Sequence, residues 1–190
     1  MLDSPLAIAA TSVFASNPEA FDRGEQLISE VRDLFDFPGL EFSQDVTDSK
    51  ALNERRGPMI IVAASGMAEA GRILHHLAIG APDPRNTILI VGFQAEHTLG
   101  RRIVERRPTL KIYGEEIPLR ARVEILNGYS AHADRGELRR WVNAVRGSSS
   151  ERLPVYLVHG EPPEQDALAG VLRQDGFDVM APERKSTVDF

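Results

Sequence analysis

The apolar positions of this chain change period along its length, and the changes mark its elements. Residues 5–16 and 19–35 are predicted as two helices, separated by Pro18 and closed by Phe37-Pro38-Gly39. Met59-Ile60-Ile61-Val62-Ala63 is a continuous apolar run, the pattern of a strand buried on both faces. Ser65-Gly66-Met67 turns that strand directly into a helix carrying Ile73, Leu74 and Leu77. Thr87 to Val91 is a second buried strand and Leu99 to Arg106 a second helix of this alternation. Short strands follow near Leu110–Tyr113 and Val123–Leu126. Asp134 to Val145 is a helix, with Asp134 as N-cap and Glu137 placed to complete a capping box. Val155 to Val158 is another strand; Pro162-Pro163 opens a long helix that Gly176 ends, and Phe177 to Met180 closes the series.

Strands alternating with helices predict an α/β fold: a mostly parallel, Rossmann-like sheet covered by helices. Sites in such folds lie at the carboxyl ends of the strands, where three segments stand out. At Ala63-Ala64-Ser65-Gly66-Met67, Gly66 lets a ligand approach the backbone, and a following helix N-terminus would favour phosphate. The alternative is a plain tight turn. His132 stands among small residues just before a helix, placed to titrate near neutral pH, or simply to lie on the surface beside a capping Asp134. His159 ends the apolar strand Leu157-Val158, as a metal ligand, a general acid or base, or a buried imidazole satisfied by backbone. His75 and His76 are adjacent on a helix, lack ligand spacing and read as structural, while His97 lies near the end of a strand.

Composition narrows the chemistry. There is no cysteine, so disulfides and thiolate metal sites are excluded. No apolar run approaches the roughly 20 residues of a membrane span. The start Met1-Leu2-Asp3-Ser4-Pro5 is not a signal peptide, so a cytoplasmic location is expected. The net charge of −6 argues against a general nucleic-acid binder, yet Arg101 to Arg122 holds seven bases and three acids. No HxHxDH, HExxH or cysteine cluster is present, so only His159, with His132, is a candidate metal ligand.

The motifs form an ordered set. They are Asp3-Ser4-Pro5-Leu6-Ala7; Gly57-Pro58-Met59-Ile60-Ile61-Val62; Ser65-Gly66-Met67 with Gly71-Arg72-Ile73; Gly92-Phe93-Gln94-Ala95-Glu96 with Thr98-Leu99-Gly100; Ser130-Ala131-His132-Ala133-Asp134; and Val158-His159-Gly160-Glu161. This set resembles the β-CASP subgroup of the metallo-β-lactamase superfamily, RNA-processing nucleases that include the endonuclease for the 3′ ends of eukaryotic pre-mRNA. Residues 41–56 and the last ten are the least distinctive. The resemblance implies that residues 1–127 are the later part of a β-CASP domain, and 128–190 a βαβαβ-type C-terminal piece of the metallo-β-lactamase fold. It implies His132 as the proton donor to the leaving group, His159 as a zinc ligand, and Ser65, Gly66 and Met67 as a phosphate- or RNA-binding turn. The complete enzymes hold two zinc ions, and at most one ligand is present here. The resemblance therefore implies the C-terminal part of a zinc-dependent RNA nuclease, inactive alone. Two alternatives are a non-catalytic RNA-binding module that also uses Arg101–Arg122, and a subunit that pairs with a separate metallo-β-lactamase half or with itself. His97 stands where the family usually has glycine.

Overall fold

In the computed structural model the described residues are 1–17, 19, 35, 37–129, 132–148, 153–183 and 185–187. They divide into two compact units, Met1–Asn127 and Gly128–Phe190. The helix expected over 19–35 lies, apart from its end residues, outside the described residues.

The first unit is organised around Leu2. Leu2 N–H donates to Glu41 C=O and Ser43 N–H to Leu2 C=O, while Asp3 N–H donates to Val62 C=O. Parallel bridges thus bring Phe42 and Val62 to either side of Leu2. Immediately after it, Ser4 caps helix α1 (Pro5–Ser16), its hydroxyl accepting from Ala7 N–H. The neighbouring Asp3 is fully buried and ties four segments together. Its Oδ1 accepts from Arg72 Nη1 at 2.6 Å and its Oδ2 from Ser49 Oγ at 2.7 Å, with His76 Nε2 2.6 Å from the same oxygen. Ser49 stands on helix α2 (Val46–Leu52) and His76 on helix α3 (Ile73–Gly80). The other ring nitrogen of His76 faces Asn53 Oδ1 at 3.1 Å. Arg72 also donates to the carbonyls of Ser43 and Gln44. Burial pushes the Asp3 carboxyl up, but hydrogen bonds from Ser49, His76, Ser43 and Arg72 outweigh it and hold the group at about 2.

Strand β1 (Thr87–Ile90) pairs in parallel with β4 (Arg122–Ile125), in the register Thr87 to Arg122. Between them lie helix α4 (Leu99–Val104) and an antiparallel hairpin, β2 (Thr109–Ile112) with β3 (Glu115–Pro118). Leu77, Ile90, Ile103, Leu110, Ile112 and Val123 form the centre of this unit's core. The second unit runs from helix α5 (Arg135–Arg146) through β5 (Pro154–Tyr156) and helix α6 (Pro162–Gln174) to β6 (Asp178–Met180). Strands β5 and β6 are parallel, and Leu172, Phe177 and Val179 fill the core beneath them. The chain is therefore α/β, and among the described residues two of the three strand pairs are parallel.

One expectation fails on packing. Residues 59–63 form only a single bridge, and their burial alternates, with Ile60 79% and Val62 56% exposed. Leu2 supplies one partner strand position; among the described residues nothing covers the second face. The strand at Glu115–Pro118 was not foreseen, because its charged start reads as loop. The turn before it explains the pairing: Tyr113 and Gly114 both have positive φ, 51° and 85°, as a type I′ hairpin turn requires.

Removing the carboxylate of Asp3 leaves Arg72 and His76 facing a buried void. Asp3→Ala is expected to cost about 3 kcal/mol, seen as a large fall in Tm. The pH dependence has a definite sign. A carboxyl depressed from 3.8 to about 2 contributes stability that is complete above its unfolded value and lost as pH falls toward 2. Acid titration of stability should show this loss between about pH 4 and 2, and Asp3→Asn should lack that limb.

Candidate functional site

Residues 65–72 are a turn, and α3 does not begin until Ile73. The Ser65-Gly66-Met67 segment is thus not at a helix N-terminus, as the sequence had implied. Two backbone reversals delay the helix, with φ of 56° at Ala68 and 83° at Gly71. A Cβ on Gly71 would stand 3.0 Å from the Ala64 carbonyl oxygen, so this position needs glycine for space as well as conformation. Ser65 closes the turn on itself: its carbonyl accepts from Ala68 N–H and its hydroxyl from Glu69 N–H. Gly66 and Met67 are exposed, and among the described residues neither N–H meets an acceptor. The turn therefore offers two donors to solvent or to an anion, from its own backbone rather than from a helix.

A second loop holds it in place. Gln94 is 6% exposed, and its Nε2 donates to the carbonyls of Gly66 at 3.0 Å, Gly92 at 3.2 Å and Phe93 at 3.0 Å. Three acceptors around one nitrogen fix the orientation of the carboxamide, since the flipped form would place oxygen against oxygen. Its Oε1 has no hydrogen-bond partner and lies against Gly100, where an added Cβ would sit 1.6 Å from it. Gly100 N–H donates to Met67 C=O, and the Glu69 carboxylate accepts from Leu99 N–H at the start of α4. Gln94 was legible in the sequence only as part of a motif; its glycine neighbours at 92 and 100 were the one signal that a side chain fills space there.

Both candidate histidines belong to the other unit. His132 is exposed and lies two residues before the Asp134 cap, whose Oδ1 accepts from Glu137 N–H while Glu137 Oε2 accepts from Asp134 N–H. His132 is therefore adjacent to a rigid helix start; its neighbours Ser130 and Ala131 lie outside the described residues. His159 follows β5 and is exposed, which removes the reading of a buried, backbone-satisfied imidazole. Its φ is 70°, followed by Gly160 at 102°, so the chain reverses sharply into α6. Gln165 Nε2 donates to the His159 carbonyl at 2.7 Å and braces that reversal from the first turns of the helix. Non-glycine residues adopt the left-handed region uncommonly, histidine more readily than most. His97 likewise has φ of 68°. His76 is held in the Asp3 network, and His75 lies 5.1 Å from the Tyr113 ring, centroid to centroid.

Metal chemistry can be tested against these positions. Among the described residues no group of three His, Asp or Glu side chains is placed to hold a metal ion. One exposed imidazole is not a zinc site, so the residues present do not fit a resident ion by themselves. Also among the described residues, no helix is long and apolar enough to cross a membrane.

Comparison with known proteins agrees with this arrangement of motifs. Residues 1–103 match the Beta-Casp domain, and residues 116–182 match the Zn-dependent metallo-hydrolase RNA specificity domain. Ribonuclease TTHA0252 of Thermus thermophilus is 41% identical over 94% of this chain and 40% of its own length. Transcription termination factor FttA of Pyrococcus abyssi is 34% identical over 98% of this chain and 30% of its own. An RNase J-like protein of Methanocaldococcus jannaschii is 36% identical over 55% of this chain and 23% of its own. The chain thus spans less than half the length of these relatives. With the Beta-Casp match covering more than half of its residues, the chain belongs to the β-CASP family of the metallo-β-lactamase superfamily.

Proposed function

We propose that this chain is the RNA-engaging part of a zinc-dependent β-CASP nuclease. In this reading residues 1–127 are the later part of the β-CASP domain and 128–190 the C-terminal segment of the metallo-β-lactamase domain. The Ser65-Gly66-Met67 turn receives an RNA phosphate, His132 delivers a proton to the leaving oxygen, and His159 is one zinc ligand. The remaining ligands come from outside this chain, which is inactive alone.

The observation that carries the reading is the turn. Two exposed backbone N–H groups, free of acceptors among the described residues, sit on a loop that Gln94, Met67 and Glu69 hold fixed. Fixed backbone donors bind anions without reorganisation, which suits a phosphodiester. The similarity to a ribonuclease over 94% of the chain supports RNA as the source of that anion. His159 in its left-handed corner supports a presented imidazole.

A second reading, pairing with a separate metallo-β-lactamase half or with another copy, is favoured by exposed apolar residues. Leu138, Trp141 and Val145 recur at helical spacing on α5, with Trp141 67% exposed, and Ile60 and Val62 stand open in the other unit.

Three measurements test these readings. Gly66 has nothing within 4 Å of an added Cβ and no positive φ, so Gly66→Ala should leave Tm unchanged. The new methyl stands beside the donors, and RNA binding in chelator should weaken about five-fold by fluorescence anisotropy; unchanged binding would remove the turn from the site. Metal analysis after purification in zinc should give well under one ion per chain, with no RNA cleavage; stoichiometric zinc lost in His159→Ala would show instead that a site assembles. For pairing, Trp141 is the chain's only tryptophan. Its emission should shift to the blue as concentration rises, together with a rise in sedimentation coefficient.

A further inference from the structure

The bases between Arg101 and Arg122 are exposed apart from the half-buried Arg101, but their charges are not equally answered. Glu105 takes the charge of two of its arginines, meeting Arg101 Nε at 3.0 Å and Arg107 Nε at 2.9 Å. Arg106 and Arg122 are left without a carboxylate partner among the described residues, although Glu124 lies two residues along β4 from Arg122. These two line one pocket of about 210 Å³, whose other walls are Leu119, Ala121 and Val123. Both arginines are exposed, so the pocket is reachable from solvent, and two positive side chains border it with no carboxylate among its lining residues.

The backbone under Arg106 makes the placement specific. Helix α4 ends in a Schellman motif: Arg106 N–H donates to Ile103 C=O, and Arg107 N–H reaches back to Arg102 C=O. The residue at the reversal of that motif is ordinarily glycine, and here it is Arg106 with φ of 53°. Nothing in the helix termination needs an arginine; glycine would serve it with less strain. The side chain itself is directed by Arg106 Nη2, which donates to Val123 C=O on β4 at 3.3 Å. Arg122 begins that same strand, its N–H bound to Asn86 C=O at 2.9 Å. An exposed arginine in a conformation that disfavours it, anchored on the strand that carries the other, sets both side chains at one pocket.

We propose that Arg106 and Arg122 form a phosphate clamp that holds the backbone of single-stranded RNA. The clamp is separate in sequence from the Ser65-Gly66-Met67 turn and binds a phosphate other than the one that turn receives. The assignment rests on the proposal that RNA is the ligand. Arginine suits the task because its planar fork can give two hydrogen bonds to one phosphate.

The glycine-favoured position of Arg106 supplies a clean test. Arg106→Gly removes the guanidinium and relaxes the backbone, so Tm should hold or rise slightly. The full chain is titrated against a fluorescein-labelled oligouridylate in chelator at several salt concentrations. Arg106→Gly and Arg122→Gln should each weaken binding about five-fold at low salt and reduce the slope of log affinity against log salt by about 0.7. Arg107→Gln changes the net charge equally but lies outside the pocket, and should change affinity much less. Equal losses in all three variants, or none in Arg106→Gly and Arg122→Gln, would overturn the clamp. The RNA reading would then stand or fall on Gly66→Ala. Displacement of the labelled RNA by an equal concentration of inorganic phosphate would mean that the site takes free phosphate and not a phosphodiester. No binding by the unaltered chain would overturn both the clamp and the RNA reading.

Discussion

A carboxylate with no exposure to water has to be answered by donors from the protein, and Asp3 draws its donors from Ser49, Arg72 and His76. None of these is near it in sequence. The demand for pairing therefore does long-range work that apolar contact alone does not, because burial is non-directional and hydrogen bonds are not. Asp3 fixes the strand position of Leu2 behind it and the start of α1 after it. Arg72, reaching from the residue before α3, fixes where the 65–72 turn must end. The candidate anion site at Gly66 and Met67 thus hangs, at one remove, on a buried ion pair that touches no ligand. A pair of this kind contributes less to net stability than its Coulomb energy suggests, and more to having a single arrangement.

What the sequence revealed follows from the range of the forces involved. The capping box of Asp134 and Glu137 lies within four residues and was readable as it stands. So were the helix at 5–16, the strand beginning at Thr87 and the stop at Gly176, each set by local propensity and turn chemistry. The run at 59–63 was readable as apolar but not as half-exposed, because composition states what a segment tolerates and not what covers it. The position of α3 was misjudged because Ala68 carries a positive φ that no alanine advertises. The hairpin at 109–118 hid behind Glu115 and Glu116. At the site, the positions of His132 and His159 beside element ends were legible. The exposure of His159 and the left-handed corner that presents it depend on the Gln165 brace, a tertiary fact. Gln94 was visible only as a motif member and Arg106 only as one of the bases of Arg101–Arg122, since the contacts that single them out are to carbonyl oxygens, which sequence does not display.

Family membership and metal chemistry separate in this chain. The matched description is of a zinc-dependent metallo-hydrolase, yet the described residues bring no three ligands together. The units present are those that shape and charge a surface: a turn with free N–H groups, an arginine pair over apolar walls, and an imidazole at a strand end. The proposed reading divides function by kind of work: recognition is assigned to these groups, and the ligands for bond cleavage to residues outside the described ones.

The carboxamide of Gln94 has a consequence in time rather than in energy. Because its nitrogen is shared by carbonyls of both loops, and its oxygen leaves no room for any side chain at Gly100, a movement of the 65–70 turn away from the 92–100 loop breaks these bonds. A ligand arriving at Gly66 meets a surface already in its final shape. On the proposed reading, capture there is governed by how often a phosphate arrives in the right orientation, not by the wait for a loop to rearrange.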